Sequence, residues 1–299
     1  MQNPSKTEEP QWTIRKVLNW TTSYFESRNM DTPRLDAEIL LACVLKSDQT
    51  ALYTQYDMPL CLDELAAFRA LIKRRVRREP VAYIVGTKGF WSLEMTVTRD
   101  VLIPRPETEC LIETALSVLP HSGPEQKSVL ELGTGSGAII LALAAERPGH
   151  IFFASDRSVK ALEVARKNGI RNHLEGSVRF FSGDWFGPLK RDLPLFDMIL
   201  SNPPYIRTGD IAQLQPEICK YEPITALDGG KDGLDAYRAI IPSAHTYLAE
   251  RGILLLEIGN DQKDDIRQII NACGCYEEVL FKKDYGRCDR VAQMRRKHH

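Results

Sequence analysis

A glycine-rich turn, Glu131-Leu132-Gly133-Thr134-Gly135-Ser136-Gly137, constrains this 299-residue chain more than any other segment. It follows an apolar run at 128–132 that predicts a buried strand, and it precedes a segment at 138–146 that predicts a helix. Glycines permit a tight turn, and the N-terminus of the helix behind them favours a carboxylate or a phosphate. The turn therefore predicts a cofactor site at the first strand of an α/β sheet.

Strand and helix patterns alternate beyond this turn. After a predicted helix at 110–119, the sequence predicts strands at 128–132, 151–155, 178–182, 196–201 and 253–257, and helices at 138–146, 158–168, 234–248 and 263–272. Such alternation predicts a doubly wound, mostly parallel sheet. Two last runs, at 276–281 and 290–294, predict a C-terminal antiparallel hairpin at one sheet edge.

The chain before this region predicts a small helical bundle domain. The residues that share one face of the first helix are Ile14, Val17, Leu18, Thr21 and Phe25. The second helix begins after Asp31-Thr32-Pro33 and runs through Leu35, Ile39, Leu40, Cys43 and Val44. A third helix ends in the basic cluster 73–78. This cluster could contact RNA or an acidic partner, but basic residues near a helix C-terminus more often form a solvated face.

Residues 83–101 predict a two-stranded connector with glycines at 86 and 89. We therefore expect three parts: an N-terminal helical domain at 1–82, a β-hairpin-like connector at 83–103, and the sheet domain at 104–299.

Acidic and aromatic residues follow the next two strands. Asp156 is placed to accept hydrogen bonds from two ribose hydroxyls. Asp184 could bind the exocyclic amine of an adenine and Trp185 could contact its ring, although Trp185 could equally be an ordinary core or lid aromatic. These features suit a dinucleotide and S-adenosylmethionine alike.

The fourth strand ends in Ser201-Asn202-Pro203-Pro204-Tyr205. Each proline forces the residue before it into an extended conformation, so the carbonyls of Asn202 and Pro203 remain as fixed acceptors. The side-chain oxygen of Asn202 adds another acceptor, and Tyr205 adds a flat stacking surface. This arrangement suits a planar NH2 group, although the same residues also punctuate ordinary loops.

The Asn-Pro-Pro-Tyr segment distinguishes the two cofactors. A methyltransferase that acts on an amide or a base amine needs such a clamp beside its cofactor, whereas a dehydrogenase does not. Glu131, just before the turn, is well placed for the α-ammonium group that S-adenosylmethionine carries and NAD lacks.

Composition limits the class of protein. The formal net charge of -1 disfavours a nucleic-acid-wrapping protein, and 43% hydrophobic residues are enough for globular cores. The seven cysteines are scattered and lack a Cys-x-x-Cys pair or a histidine at ligand spacing, so we expect a reduced protein without a metal site. Residues 1–11 are polar and the apolar runs are short. We therefore expect a cytoplasmic protein that makes no membrane contact.

Seven motifs resemble, in family order, those of the HemK/PrmC family of release-factor glutamine methyltransferases. They are Glu79-Pro80-Val81-Ala82-Tyr83-Ile84-Val85-Gly86, Leu102-Ile103-Pro104-Arg105-Pro106-Glu107-Thr108-Glu109, the turn from Glu131 to Gly137, Ser201 to Tyr205, Tyr221-Glu222-Pro223 with Ala226-Leu227, Asp232-Gly233-Leu234, and Asp284-Tyr285-Gly286 with Asp289-Arg290-Val291. The likeness covers nearly the whole chain.

The resemblance implies a Rossmann-like class I methyltransferase that uses S-adenosyl-L-methionine to methylate the glutamine of the Gly-Gly-Gln loop in peptide chain release factors. By position, residues 133–137, Asp156 and Trp185 would bind the cofactor, and Asn202, Pro203, Pro204 and Tyr205 would grip the glutamine. The Pro-Arg-Pro-Glu-Thr segment would cover the cofactor, and the N-terminal helical domain at 1–82 would recognise the protein partner.

Two alternatives use parts of the same pattern. An adenine exocyclic-amine methyltransferase would use the same clamp on a flipped base, but the chain has no separate basic recognition domain beyond the cluster 73–78. A non-catalytic or NAD-binding module would use the glycine-rich turn alone.

Overall fold

A computed structural model describes residues 11–121, 125–190 and 195–298. Contacts divide the chain into two compact units after Gly86, here called the helical unit and the sheet unit. Of the polar segment 1–11, all but Gln11 lies outside the described residues, and the predicted division at 82 and 103 stays a prediction.

The described part of the helical unit, residues 11–86, contains five helices around one apolar core. They are α1 (Ile14–Glu26), α2 (Pro33–Leu45), α3 (Gln49–Thr54), α4 (Leu62–Val76) and α5 (Val81–Val85). Thr13 caps α1 by accepting a hydrogen bond from the Lys16 amide. The predicted face of α1 is confirmed, because its buried residues are the five that the periodicity selected.

The predicted second helix is confirmed as α2, but the side of α2 that is buried includes two carboxylates. Leu35 is 47% exposed and Cys43 is also exposed, whereas the carboxylates Asp36 and Glu38 are buried. Nε of Arg75 donates to Asp36 at 2.7 Å, and Nε of Arg34 donates to Glu38 at 2.5 Å. Hydrophobic periodicity assigns carboxylates to the solvent side, so it cannot find a helix face that is buried through ion pairs.

The basic cluster 73–78 makes several contacts inside the helical unit. Arg75 is 5% exposed and pairs with Asp36. Arg74 donates from two nitrogens to the Glu79 carboxylate at 2.9 Å, and Arg78 donates to the carbonyl of Asn29 at 2.9 Å. These three cations therefore help to hold the bundle together.

The predicted connector begins later than the sequence suggested. Residues 83–85 form the end of α5, which stops because Gly86 adopts the left-handed conformation with φ 84°. The two strands that follow, β1 (Thr87–Phe90) and β2 (Leu93–Thr96), pair in antiparallel register.

The sheet unit contains a seven-stranded sheet of order β5-β4-β3-β6-β7-β9-β8. Its strands are β3 (Ser128–Leu132), β4 (Ile151–Asp156), β5 (Val178–Ser182), β6 (Phe196–Ser201), β7 (Leu248–Glu257), β8 (Tyr276–Lys283) and β9 (Asp289–Arg296). Strands β3 to β7 are parallel, while β9 and β8 add an antiparallel hairpin at one edge. The predicted doubly wound, mostly parallel fold with a C-terminal hairpin is confirmed.

Helices flank this sheet. They are α6 (Glu109–Val118), α7 (Ala138–Glu146), α8 (Val159–Arg171), α9 (Pro216–Tyr221), α10 (Asp235–Ala244) and α11 (Lys263–Cys273). The prediction of one helix over 234–248 is wrong at its end, because Pro242 lies inside α10, the helix ends at Ala244, and Leu248 already begins β7. Among the described residues, no helix has the length and apolar character needed to cross a bilayer.

The buried ion pair between Arg75 and Asp36 gives a stability prediction. We expect Arg75→Ala to lower the free energy of unfolding by about 3–5 kcal/mol, because it leaves the Asp36 carboxylate buried without its partner. Lys73→Ala, at an exposed position in the same cluster, is the control and should change little. Urea unfolding followed by circular dichroism measures both. Equal midpoints for the two variants would show that the pair is not needed for stability.

Candidate active site

A cleft opens at the carboxyl ends of β3, β4 and β6, where the order of strands reverses between β3 and β6. Most of the predicted site residues line it: Glu131, Gly133, Thr134, Gly135, Ser136, Asp156, Asp184, Trp185, Asn202, Pro203 and Pro204. The predicted residues that do not line it are Gly137 and Tyr205. Tyr205 lines a smaller adjoining pocket together with Asn202 and Pro203.

Gly137 lies behind the cleft, at the start of α7. Its φ is 81°, and a Cβ atom there would lie 3.1 Å from the Cβ of Ala165. This glycine therefore allows α7 and α8 to approach closely. Its predicted contact with the cofactor stays a prediction.

The glycine-rich turn is held from both sides by hydrogen bonds. The Gly135 amide donates to Oδ2 of Asp156 at 2.8 Å, and the Thr134 amide donates to the Ser155 carbonyl at 2.9 Å. The fully buried amide of Asn168 donates to the Ser136 carbonyl at 2.9 Å and also bonds both backbone groups of Thr96 in β2. The β1–β2 hairpin therefore helps to support the turn.

Glu131 is a buried carboxyl group in the wall of the cleft, with 1% of its surface exposed. Burial raises its pKa to about 8, although the hydroxyl of Thr134 and the amide of Ile140 oppose this shift. The Thr134 hydroxyl donates to Oε2 at 2.5 Å. A cationic group in the cleft would stabilise the ionised form of this carboxyl.

Asp156 ends β4 and also faces the cleft. Its Oδ2 accepts from the Gly135 amide, and its Oδ1 accepts from the Ser158 amide at 2.8 Å. Burial raises its pKa, and these two amides act in the opposite direction. Each carboxylate oxygen has a further lone pair, so Asp156 can shape the turn and still accept hydroxyl groups from a ligand.

Asp184 and Trp185 follow β5 and line the same cleft. Trp185 has a φ of 44°, and its ring lies 3.8 Å from the position of a Cβ on Gly133. The ring also packs against the core cluster of the sheet unit. Trp185 therefore contributes to both the cleft wall and the core.

Asn202 follows β6, and its side-chain amide has a defined polarity, meaning that its nitrogen and its oxygen point in known, different directions. Its Nδ2 donates to Oγ1 of Thr108 at 3.2 Å. No described residue donates a hydrogen bond to its Oδ1 or to the backbone carbonyls of Asn202 and Pro203. The predicted acceptors are therefore left for a donor that enters the cleft.

A buried polar group that no sequence pattern singled out lies near this segment. Glu257, the last residue of β7, is 1% exposed, and burial raises its pKa to about 7. The Thr108 hydroxyl lowers this pKa, and Oε2 of Glu257 has no hydrogen-bond partner among the described residues. The Tyr205 hydroxyl donates to Oε1 of Glu257 at 3.4 Å, so this carboxyl contacts the last residue of the Asn-Pro-Pro-Tyr clamp.

The segment before Thr108 also forms part of the cleft wall. Pro104 and Arg105 line the cleft, and Arg105 forms an ion pair with the buried carboxylate of Glu222. That carboxylate also accepts a hydrogen bond from the Ile103 amide at 3.3 Å. Arg105 and Glu222 therefore join the segment 102–109 to the segment 221–227 beside the cleft.

Comparisons with known proteins agree with this arrangement. Residues 16–86 match the PrmC N-terminal domain, and residues 108–219 match the methyltransferase small domain. A release factor glutamine methyltransferase of Geobacter sulfurreducens is 43% identical over 286 residues, covering 95% of this chain and 98% of that protein. One of Coxiella burnetii is 43% identical over 268 residues, covering 89% and 92%.

Solved structures support the fold alone. The human methyltransferase 10 domain containing protein matches with a TM-score of 0.53 and 18% identity, over 81% of this chain and 100% of that one.

Proposed function

Because the chain belongs to the family of release factor glutamine methyltransferases, we propose that it transfers a methyl group from S-adenosylmethionine to the glutamine side chain of the Gly-Gly-Gln motif in peptide chain release factors. The observation that carries this proposal is the polarity of Asn202, whose amide nitrogen is engaged by Thr108 while its oxygen remains an acceptor in the cleft.

The cleft has the groups that S-adenosylmethionine needs. We infer that residues 133–136 approach the cofactor through their backbone, that Asp156 accepts ribose hydroxyls, and that Glu131 binds the α-ammonium group. Asp184 and Trp185 would contact the adenine. When bound, S-adenosylmethionine supplies a methyl group that its sulfonium makes electrophilic.

Asn202 and Pro203 would orient the substrate amide. An amide nitrogen is a poor nucleophile because its lone pair is delocalised. Acceptors that bind both of its N–H bonds hold it with the lone pair directed outward, and good orientation of reacting atoms can contribute about 7–11 kcal/mol. Tyr205 would add a flat surface beside the amide.

Thr108 would set which end of the Asn202 amide faces the substrate. Its hydroxyl accepts from Nδ2, and the facing carboxyl of Glu257 is an acceptor for the hydroxyl proton when it is ionised. If the Thr108 hydroxyl donates its proton to ionised Glu257, a reversed Asn202 amide would bring its oxygen against the Thr108 oxygen with no proton between them. This chain of donors and acceptors favours the orientation that suits an incoming NH2 group.

The helical unit would recognise the protein substrate, because a clamp for a planar NH2 group cannot distinguish one glutamine from another. Side chains at the end of α1 and just beyond it support this inference. Trp20 is 51% exposed and stacks on the partly buried Tyr24, with the ring centroids 5.1 Å apart, and Arg28, which follows the helix, lies over the Tyr24 ring at 5.3 Å. Trp, Tyr and Arg are the residues most enriched in the energetic centres of protein interfaces. The same proposal implies a cytoplasmic location, because the protein substrate acts in translation.

The polarity of Asn202 can be tested at Thr108. We expect Thr108→Val to raise the barrier to methyl transfer by about 1–3 kcal/mol, because Nδ2 of Asn202 loses its acceptor. Thr108→Ser retains the hydroxyl and should restore most of kcat, while the affinity for S-adenosylmethionine stays the same in both variants. Single-turnover kinetics and calorimetry measure these quantities. If the valine and serine variants transfer methyl groups equally fast, the hydroxyl does not orient Asn202.

The pKa of Glu131 predicts a proton released on cofactor binding. A pKa of about 8 leaves this carboxyl mostly protonated at pH 7, and a bound ammonium group lowers the pKa. Binding at pH 6.5–7 should therefore release up to one proton, and affinity should rise with pH until about 8. Calorimetry in two buffers of different ionisation enthalpy measures the release. Glu131→Gln should abolish it; an unchanged release in this variant would assign the proton to another group.

Substrate recognition is tested with two acceptors. We expect a folded release factor to have a much higher kcat/KM than a short Gly-Gly-Gln peptide, because contacts away from the reacting atoms increase efficiency only for the true substrate. Trp20→Ala should lower kcat/KM for the folded factor alone. Leu62→Ala, which truncates another exposed apolar residue of the helical unit, is the control. Equal use of peptide and factor would exclude recognition by the helical unit.

A further inference from the structure

Three side chains that are common metal ligands meet at the amino ends of the parallel strands, whereas the cleft lies at their carboxyl ends. His245 follows α10 just before β7 begins, and Cys273 and Cys275 flank the end of α11 just before β8 begins. One ligand atom from each of these residues lies within 4.8 Å of the others. Cys273 and Cys275 are two residues apart, but His245 lies far from them in sequence, so the spacing of ligands in the sequence predicted no metal site.

The histidine has an unsatisfied nitrogen. Nδ1 of His245 is shielded from solvent and has no hydrogen-bond partner among the described residues. Buried polar atoms are nearly always paired, so an unpaired one calls for an explanation. A bound metal ion provides one, because an imidazole nitrogen is a common ligand for zinc.

The two cysteines are held close together by local backbone structure. Gly274 adopts φ 69° and ends α11, so the chain reverses between the two thiols. Cys275 Sγ lies 3.2 Å from the Cys273 carbonyl, and the Lys297 amide donates to the Cys275 carbonyl at 3.0 Å. Both thiols are free and partly accessible, so an ion can reach them.

We propose that His245, Cys273 and Cys275 bind one zinc ion. Thiolate and imidazole ligands favour Zn²⁺, which bonds to sulfur at about 2.3 Å and to nitrogen at about 2.0–2.1 Å in tetrahedral geometry. Binding converts two thiols to thiolates and releases two protons, so the two thiolates balance the charge of the ion. Water completes the fourth position.

The proposed ion is structural. It joins the ends of α10 and α11 to the start of β8, and these elements contribute Ala244, Ile270 and Tyr276 to the core of the sheet unit. The cleft lies at the carboxyl ends of the parallel strands, whereas this cluster lies at their amino ends. Loss of the ion should therefore lower thermal stability and leave methyl transfer at moderate temperature unchanged.

Cobalt and zinc titrations of the reduced, full-length protein test the proposal. We expect one Co²⁺ per chain with a sulfur-to-cobalt charge-transfer band, its displacement by Zn²⁺, and a higher Tm when zinc is bound. Cys273→Ser, Cys275→Ser and His245→Asn should each weaken zinc binding at least tenfold. Cys288→Ser, a change to another partly accessible cysteine of the same unit, should not.

A measurement on the unmodified protein keeps the test independent of variant folding. Zinc should protect Cys273 and Cys275 from alkylation, as read by peptide mass spectrometry, and leave Cys288 reactive. Three results would overturn the proposal: no zinc bound at micromolar concentration, equal protection of all three cysteines, or a Cys273–Cys275 disulfide that persists in reductant and excludes the ion.

Discussion

The fixed separation of two neighbouring parallel strands determines the geometry of the whole site. The glycine-rich turn follows β3, and Asn202-Pro203-Pro204-Tyr205 follows β6. The two strands pair in parallel, with Val129 opposite Met198 at one end and Leu132 opposite Ser201 at the other. Oγ of Ser201 donates to the Leu132 carbonyl at 2.7 Å, which ties the two ends together. The proposed cofactor site and the proposed substrate clamp therefore stay in one relative position without a flexible link.

Three buried carboxyl groups surround this pair of strand ends. Glu131, Asp156 and Glu257 each end, or nearly end, a strand, and burial raises the pKa of each. Burying a carboxylate costs stability unless it is paired, and proteins break this rule most often at functional sites. Asp156 accepts hydrogen bonds from two amides of the surrounding loops, and Glu131 accepts one from the Thr134 hydroxyl. The cationic group of the proposed cofactor would stabilise the ionised form of Glu131 further.

Sequence patterns predicted the features that repeat or that are local in the chain. The apolar period of β3 and β6, the glycines of the turn and the proline pair after Asn202 each constrain their own neighbours, so the sheet and most of the cleft lining could be predicted. Contacts between distant segments could not. The pairing of Asp36 with Arg75, the approach of Thr108 to Asn202, and the meeting of His245 with two cysteines all depend on tertiary packing. The sequence contains only a weak indication of Glu257, which is a charged residue at the end of an apolar strand.

The identity of the methylated atom tests the central claim most directly. A release factor and its Gln→Glu variant at the Gly-Gly-Gln motif are incubated with the protein and labelled S-adenosylmethionine, and their peptides are sequenced by mass spectrometry. We predict a single methyl group on the side-chain nitrogen of that glutamine and none on the Glu variant, which has no NH2 group for Asn202 to hold. A methyl group at another residue, or equal labelling of both proteins, would contradict the proposed clamp.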